Sequence, residues 1–258
     1  MQLFTPNGKP TNSTFWAMVA IQAVLALAIW TFSRSELLPS PMEIVGALGR
    51  MITQDNLLQE LATSTILSLT AMGIATVLSL LIAYSTVLPF FRPFAFLVSK
   101  GRFLTLVGLS FVFTLLTSGG HQLKVSLLVF GITVFFVTSM VEIIRAIPRY
   151  EFNHARTLRM SEWQVVWEVI ILGRADQVFE LVRQNFAISW MMLTMVEGIS
   201  RSEGGIGTLL LNQNKHFHLD AVFAIQIVIL MMGITLDFGI GLLKKLFCPY
   251  TDLQVEMR

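Results

Sequence analysis

The amino-acid sequence predicts an all-α polytopic membrane protein with about six transmembrane helices. Of its 258 residues, 54% are hydrophobic and only 13% are charged, whereas a soluble domain carries about 25% charged residues. Apolar stretches with few or no charges recur along the chain, and about 20 such residues are enough for a helix to cross the hydrocarbon core. Since so few charges cannot cover a globular surface with polar groups, most of the chain must face lipid.

The candidate spans follow one another along the chain. Residues 14–33 form the first, and we interpret them as a retained helix because the run is too long for a signal-peptide core and lacks a small-residue cleavage site. The second is the charge-free run 61–91. Residues 93–120 form either an interfacial segment before a short span or one tilted helix. The other candidate spans are residues 103–120, 123–145, 180–200 and 221–243.

The placement of Lys and Arg predicts the orientation. Six spans put both termini on one side, and the segments on that side hold 13 of the 18 Lys and Arg residues. Because cytoplasmic loops carry the excess of these residues, we expect a multi-pass protein of the cell (inner) membrane with cytoplasmic N- and C-termini. Three regions are predicted: an N-terminal span with an outer segment at 1–60, a core at 61–250 and a C-terminal tail at 251–258.

The outer segment is predicted to contain a surface helix. Pro39 and Pro41 prevent a continuous helix through this region. After them Ile44, Val45, Leu48, Met51 and Ile52 recur at helical spacing. This pattern predicts a short amphipathic helix on the outer surface.

The stretch 146–173 on the inner side is polar, charged and helix-prone. It reads AIPRYEFNHARTLRMSEWQVVWEVIILG. Pro148 suits the first turn of a helix, Ser161 can begin a second helix and Gly173 can end it. We therefore expect two short helices with a break near residues 159–161. The residues alone fit a solvated linker at the membrane interface as well as they fit a surface that binds a soluble partner.

This inner stretch resembles the cytoplasmic loop of permease subunits from binding-protein-dependent ABC transporters. The family loop runs Pro, a few residues, Glu-Ala-Ala-Arg-x-Leu-Gly-Ala-Ser, and then an apolar helix that ends Leu-Pro. The chain departs from it at three places: Asn153 and His154 replace Glu-Ala, Arg159 replaces the Gly, and Gly173 replaces the Pro. The residues that match the family loop in type and position are Pro148, Ala155, Arg156, Leu158, Ser161, Trp163 and Leu172.

The resemblance covers most of the chain, from about Pro39 to Tyr250. LLPSPMEIVGAL is similar to the outer segment of the nitrate, sulfonate and taurine branch of these permeases. SWMMLTMVEGISRSEGGIGTLL is similar to the Trp-to-Glu helix of that branch and the turn after it, and GITLDFGIGLLKKLFCPY is similar to its final helix. The order of these pieces is more specific than the loop motif on its own.

The resemblance implies the type I ABC importer permease architecture, in which the loop forms a coupling helix at about residues 149–161. Its implied partners are a cytoplasmic ATP-binding subunit, an external solute-binding protein, a second permease copy or homologous permease that completes a dimer, and membrane lipid. The chain is then not an enzyme and needs no cofactor, and its sequence has no G-x-x-x-x-G-K-[ST] phosphate loop. A net charge of +2 gives no sign of nucleic-acid binding. The residues expected at the ATP-binding subunit are Asn153, His154, Ala155, Arg156, Thr157, Leu158, Arg159 and Met160.

A second candidate site lies in the predicted span 180–200. Trp190, Thr194 and Glu197 are four and three residues apart, so they share one helix face. We expect them to line the translocation path or to form its gate, because a carboxylate inside the membrane is a functional hypothesis by default. The alternative places Glu197 at the outer interface within reach of water. Asp237 is expected at the inner interface or in a pair with a basic residue.

Several alternatives stay open at this point. An ion-coupled secondary transporter would use Glu197 and Asp237, and a membrane scaffold would use the inner stretch to recruit a cytoplasmic partner. Arg159 either continues an ordinary helical backbone or makes the turn at some strain. Glu142 and Arg145 have the spacing of a local ion pair. The altered loop fits either a co-adapted ATPase or the degenerate half of a heterodimer.

Overall fold

The computed structural model describes residues 12–32 and 38–249, and all regular elements in these ranges are helical. The predicted all-α class is therefore confirmed. The predicted tail at 251–258 lies outside the described residues, as do residues 33–37 between the first span and the outer helix. The α-helices are α1 (Asn12–Phe32), α2 (Pro41–Gln54), α3 (Leu57–Ser85), α4 (Arg92–Lys100), α5 (Leu106–Leu116), α6 (Gly120–Ala146), α7 (Arg149–Thr157), α8 (Glu162–Val165), α9 (Ala175–Ile199), α10 (Ile206–Lys215) and α11 (Leu219–Phe247).

Four of these helices, α1, α3, α6 and α11, are long and apolar enough to cross a membrane. They coincide with the first, second, fourth and sixth predicted spans. The fifth predicted span, residues 180–200, lies in α9, which has 25 residues but is more polar than the other four. Two of the charged side chains of α9, Arg183 and Glu197, bind partners on neighbouring helices, which are described below.

The region between α3 and α6 is sharply bent. Its two parts, Pro89–Phe103 and Leu106–Leu116, meet at an angle of 115°. The second part extends only about 16 Å, compared with a hydrocarbon core of about 30 Å. One tilted helix over residues 93–120 is therefore wrong. A separate segment before a second helix agrees with the structure, but the second helix alone is too short to be the predicted span.

The centre of the bundle is formed by α3, α6 and α9. Small side chains on α3 let α6 and α9 approach it closely, as is common between helices in membranes. By contrast, the apolar stretch of α1 has no buried residue. The buried small residues of α3 recur at spacings of three and four on one face, and they are Ser64, Ser68, Ala71, Ala75 and Ser79.

The helix predicted after Pro39 and Pro41 is confirmed as α2. Pro41 begins it, and Ser40 caps it by accepting a hydrogen bond from the backbone N–H of Glu43. The Glu43 carboxylate in turn accepts the Ser40 N–H at 2.8 Å, which completes a capping box. The helix packs against α11 and so belongs to the helical bundle. Its buried residues are Ile44, Ala47 and Met51.

Candidate functional site

The inner candidate site is the segment from Pro148 to Arg174, called the coupling segment below. It leaves α6, forms α7, turns, and returns through α8 to the beginning of α9. Ala155 in α7 is buried, whereas Tyr150 in α7 and Leu158 directly after it are 70% and 60% exposed. Together with the exposed Trp163, Trp167 and Leu172, they leave five apolar side chains available on the surface of the segment. Of the eight residues predicted to bind a partner, Ala155 is the buried one, Met160 is partly exposed, and the others are exposed.

Arg159 makes the turn after α7 in a left-handed conformation. Its φ is +57°, so the alternative of an ordinary helical backbone is wrong. Its N–H donates to the Arg156 carbonyl at 2.9 Å, and the Met160 N–H donates to the Ala155 carbonyl at 3.4 Å. These two bonds define the motif that usually ends a helix with a glycine at this position. An arginine here accepts a backbone strain of roughly 1–2 kcal/mol.

The second half of the coupling segment is a continuous but irregular helix. Ser161 begins α8 with a capping box, in which its hydroxyl accepts the Gln164 N–H. After α8 the chain widens into a π-helix at Val166–Ile171 and tightens into a 3₁₀ turn at Leu172–Arg174 before α9. Gly173 therefore connects the helix to α9 and does not end it, contrary to the prediction. A Cβ at Gly173 would lie 3.0 Å from the Glu168 carbonyl oxygen, so this tight passage favours glycine.

Two ion pairs hold the coupling segment together. Arg174, directly before α9, reaches both carboxylate oxygens of Glu151 in α7 at 2.6 and 2.7 Å. Arg156 binds the Glu162 carboxylate at 2.9 and 3.1 Å, and this hydrogen-bonded partner lowers the pKa of Glu162. The first pair is the more buried of the two. It ties α7 directly to the beginning of α9.

The outer candidate site is built around the Glu197 carboxylate near the end of α9. Glu197 has no exposed surface, so the alternative that placed it within reach of water is wrong. One carboxylate oxygen accepts the Ser64 hydroxyl at 2.5 Å, and the other accepts the Gly207 N–H at 2.7 Å. The Ser64 oxygen also accepts the Ile206 N–H at 2.8 Å. The carboxylate therefore fastens the beginning of α10 to α3.

The loop before α10 and the first two residues of that helix, residues 200–207, are together called the outer turn below. Gly204 and Gly205 have φ values of +68° and +109°, which only glycine adopts at little cost. The Gly205 N–H donates to the Glu60 carboxylate, and the Lys124 ammonium donates to the Gly204 carbonyl at 2.7 Å. This turn is thus held by side chains from three helices.

The sequence analysis does not identify Glu60, Ser64 or Lys124 as site residues. Two of these three residues could have been recognised from the sequence. Glu60 and Lys124 are charged residues at the margins of long apolar runs, and charges in such positions usually have a specific partner.

A groove of about 540 Å³ lies between α9 and α11 and includes Trp190 and Thr194. The Trp190 indole N–H donates to the Ile229 carbonyl at 3.0 Å, and Gly233 leaves room for the ring, because a Cβ there would lie 3.0 Å from the indole nitrogen. The structure thus brings two of the three predicted path residues to one groove. Glu197 is not in its lining and points toward α3 and α10.

The inner part of this groove contains Asp237. Both of its oxygens bind the Arg183 guanidinium at 2.7 Å, so the predicted pairing with a basic residue is confirmed. The predicted ion pair between Glu142 and Arg145 is not among the ion pairs of the described residues. These two side chains instead border a separate cavity near the end of α6.

The described residues form a bundle of apolar helices, with a short polar helix between α6 and α9. A family profile described as the inner membrane component of binding-protein-dependent transport systems matches residues 87–247. The chain belongs to this family. It is accordingly a multi-pass inner-membrane transport protein and not itself an enzyme, and the resemblance stated from the sequence is confirmed.

Two curated proteins are similar to the chain. The taurine transport system permease protein TauC of Escherichia coli is 23% identical over 131 residues, which is 51% of this chain and 47% of TauC. A putative ABC transporter permease protein of Methanocaldococcus jannaschii is 22% identical over 111 residues, or 43% of this chain and 42% of that protein. The chain thus spans a little under half the length of each of these relatives.

Proposed function

We propose that this chain is the membrane permease subunit of an ATP-driven importer for a small solute delivered by an external binding protein. Family membership supports this role, as do the relatives, which are both described as permeases. ATP hydrolysis takes place on a separate cytoplasmic ATP-binding subunit, and a second permease completes a dimer. In this proposal both termini are cytoplasmic, residues 1–60 form the N-terminal region and residues 61–250 form the permease core.

The observation that carries the proposal is the ion pair between Glu151 in α7 and Arg174 at the beginning of α9. The ATP-binding subunit is proposed to bind the exposed residues of α7 and the turn at Arg159. A displacement of α7 is then passed through the ion pair to α9. Because α9 carries Trp190 and Thr194 into the groove, the displacement changes the path of the solute.

The proposed solute is a small anion, such as nitrate, a sulfonate or taurine. The name of one relative supports this class. In the groove, the carboxylate of Asp237 is neutralised by Arg183, so the lining does not repel an anion. Glu197 binds no solute in this proposal, because the Ser64 hydroxyl and the Gly207 N–H already occupy its oxygens. It holds the outer turn as part of the gate.

The geometry gives less support to an ion-coupled secondary transporter. Such a protein needs a carboxylate that is free to bind and release an ion, as intramembrane carboxylates in proton relays do. Glu197 is occupied by two hydrogen bonds and Asp237 is occupied by Arg183. Neither carboxylate is therefore free for coupling.

The proposal is tested by the variant Leu158→Glu, with Met42→Glu as its control. Both residues are exposed and apolar, at 60% and 80%, but Met42 lies in α2, which the proposed orientation puts on the outer side. Each tagged variant is purified in mild detergent, and the co-purifying ATP-binding subunit and its ATPase activity are measured. We expect Leu158→Glu to lose the subunit and Met42→Glu to keep it. Normal recovery of the subunit with Leu158→Glu would contradict the proposed binding surface.

A further inference from the structure

A basic cavity of about 520 Å³ lies between α4 and the last turns of α6. Four cationic side chains border it, namely those of Arg92, Lys100, Arg102 and Arg145, and the one carboxylate in its lining is that of Glu142. The cavity lies at the end of α6 that leads into α7. It is therefore on the same side of the bundle as the coupling segment.

None of these four cations takes part in an ion pair among the described residues. Arg92 donates to the Thr86 carbonyl at 3.2 Å. Lys100 lies over the ring of Phe96 at 5.0 Å, and Arg102 lies over the ring of Phe103 at 5.2 Å. These contacts orient the cations without neutralising them. The cavity consequently holds a concentrated positive charge that attracts an anion.

An apolar groove of about 660 Å³ adjoins the basic cavity, and Lys100 borders both. Along α6, residues 126–134 line the apolar groove and residues 138–145 line the basic cavity. The two cavities therefore follow each other along the axis of one membrane-spanning helix. An occupant of both needs an anionic head and an apolar tail in this order.

The surroundings of the cavities are those of a membrane surface. The helix α4 is short, ends in Lys100, and exposes the apolar side chains of Phe94, Phe96 and Leu97. Together with the bend before α5, this places α4 where amphipathic helices lie, at the boundary of headgroups and acyl chains. A lipid can therefore reach the cavities from the bilayer without crossing it.

We propose that the two cavities form one binding site for an anionic phospholipid. Its phosphate lies among the four cations, and one acyl chain follows the apolar groove along α6. Basic cavities between membrane helices are suited to such headgroups. A free phosphate ion shares the headgroup chemistry but leaves the apolar groove empty, so the geometry favours the lipid. The site lies in the cytoplasmic leaflet if the proposed orientation is correct, whereas the binding itself does not depend on that orientation.

The test compares Lys100→Gln with Lys245→Gln. Lys245 is exposed in the last turn of α11 and takes no part in an ion pair with any residue that the structure describes, so the control removes the same charge outside the cavities. The full chain is delipidated in detergent, titrated with phosphatidylglycerol, and examined by native mass spectrometry. We expect Lys100→Gln to lower the bound phosphatidylglycerol about fivefold and Lys245→Gln to leave it unchanged. Arg102→Gln, which changes an exposed residue, serves as a second variant in case Lys100→Gln does not fold.

Two further measurements separate the possible anions. Phosphatidylcholine, which has no net charge, should bind at least several-fold more weakly than phosphatidylglycerol. Millimolar inorganic phosphate should not displace the bound phosphatidylglycerol. Equal binding of the two lipids, or an equal loss of binding in both Lys variants, would overturn the proposal. Displacement by inorganic phosphate would replace the lipid site with a site for a free anion.

Discussion

The outer turn and the coupling segment both connect helices at the ends of the bundle, but they are held in different ways. The outer turn is fixed by buried and partly buried hydrogen bonds that involve the side chains of Glu60, Ser64, Lys124 and Glu197. The coupling segment is held by ion pairs nearer the surface and leaves apolar side chains exposed. Buried hydrogen bonds are costly to break, whereas surface ion pairs contribute little. We therefore expect the coupling segment to be displaced more easily than the outer turn.

This difference indicates that the coupling segment can be displaced, whereas the outer turn stays in place. A partner that displaces α7 acts on a segment followed by a π-helix and a 3₁₀ turn, and such irregular helical turns are frequent at functional sites. The far end of α9 is fastened to α3 and α10 through Glu197. We therefore expect α9 to pivot near its outer end. The predictions below test this contrast, beginning with the largest expected effect.

Replacement of the buried carboxylate should have the largest effect. Glu197→Ala leaves the Ser64 hydroxyl and the Gly207 N–H without their acceptor in a buried place, which should lower the free energy of unfolding by about 3 kcal/mol. Thermal unfolding in detergent, followed by Trp fluorescence, measures the loss. Glu197→Gln is the control, because its amide oxygen still accepts one of the two bonds, and it should lose less. Equal stability of both variants and the parent chain would show that the outer turn is not fixed by this carboxylate.

The next largest effect on stability is expected at Gly207, where the outer turn packs closely. A Cβ on Gly207 would lie 2.6 Å from the Thr194 Cα, so Gly207→Ala should destabilise the protein by about 2 kcal/mol through overpacking. Gly239→Ala is a matched control, because nothing lies within 4 Å of a Cβ at that position in α11. The same unfolding assay should show a loss for Gly207→Ala and none for Gly239→Ala. A similar change in the two variants would contradict the close approach of α10 to α9.

The sequence predicted the helices far better than it predicted the contacts between them. Long apolar runs located most of the spans, and Pro148 and Ser161 marked the beginnings of the two inner helices correctly. These are local signals. The contact of Ser64 with Glu197 joins residues 133 positions apart, and no pattern in one sequence specifies such a pairing.

The two mistaken local expectations have a physical reason as well. Gly173 has the flexibility to end a helix, but the helix continues through it because the chain must approach the Glu168 carbonyl closely. Glu142 and Arg145 have the spacing of an ion pair, but both border the cavity beside α4. In neither case does the local sequence decide between the conformations or partners that it permits.

The ion pair between α7 and α9 can be tested through function. Glu151→Gln weakens the link to Arg174, and it should lower solute uptake in proteoliposomes about fivefold, the lower end of typical coupling effects. Glu162→Gln is the control, because it weakens the pair with Arg156 inside the coupling segment and does not involve α9. The ATP-binding subunit should co-purify with both variants. If both variants lost uptake to the same degree, the ion pair between Glu151 and Arg174 would have no specific role in uptake.

The smallest effect is expected at the left-handed turn. Arg159→Gly removes the strain of a side chain at a φ of +57° but adds freedom to the unfolded chain, so a net gain of about 0.5–1 kcal/mol should remain. Arg149→Gly is the control, because it places glycine in the ordinary first turn of α7 and should destabilise that helix by up to about 1 kcal/mol. Hydrogen exchange of the α7 amides measures both changes. If Arg159→Gly raises protection in α7 and also preserves uptake, the arginine is a tolerated departure; if uptake falls although α7 is more stable, the Arg159 side chain itself contributes to binding the ATP-binding subunit.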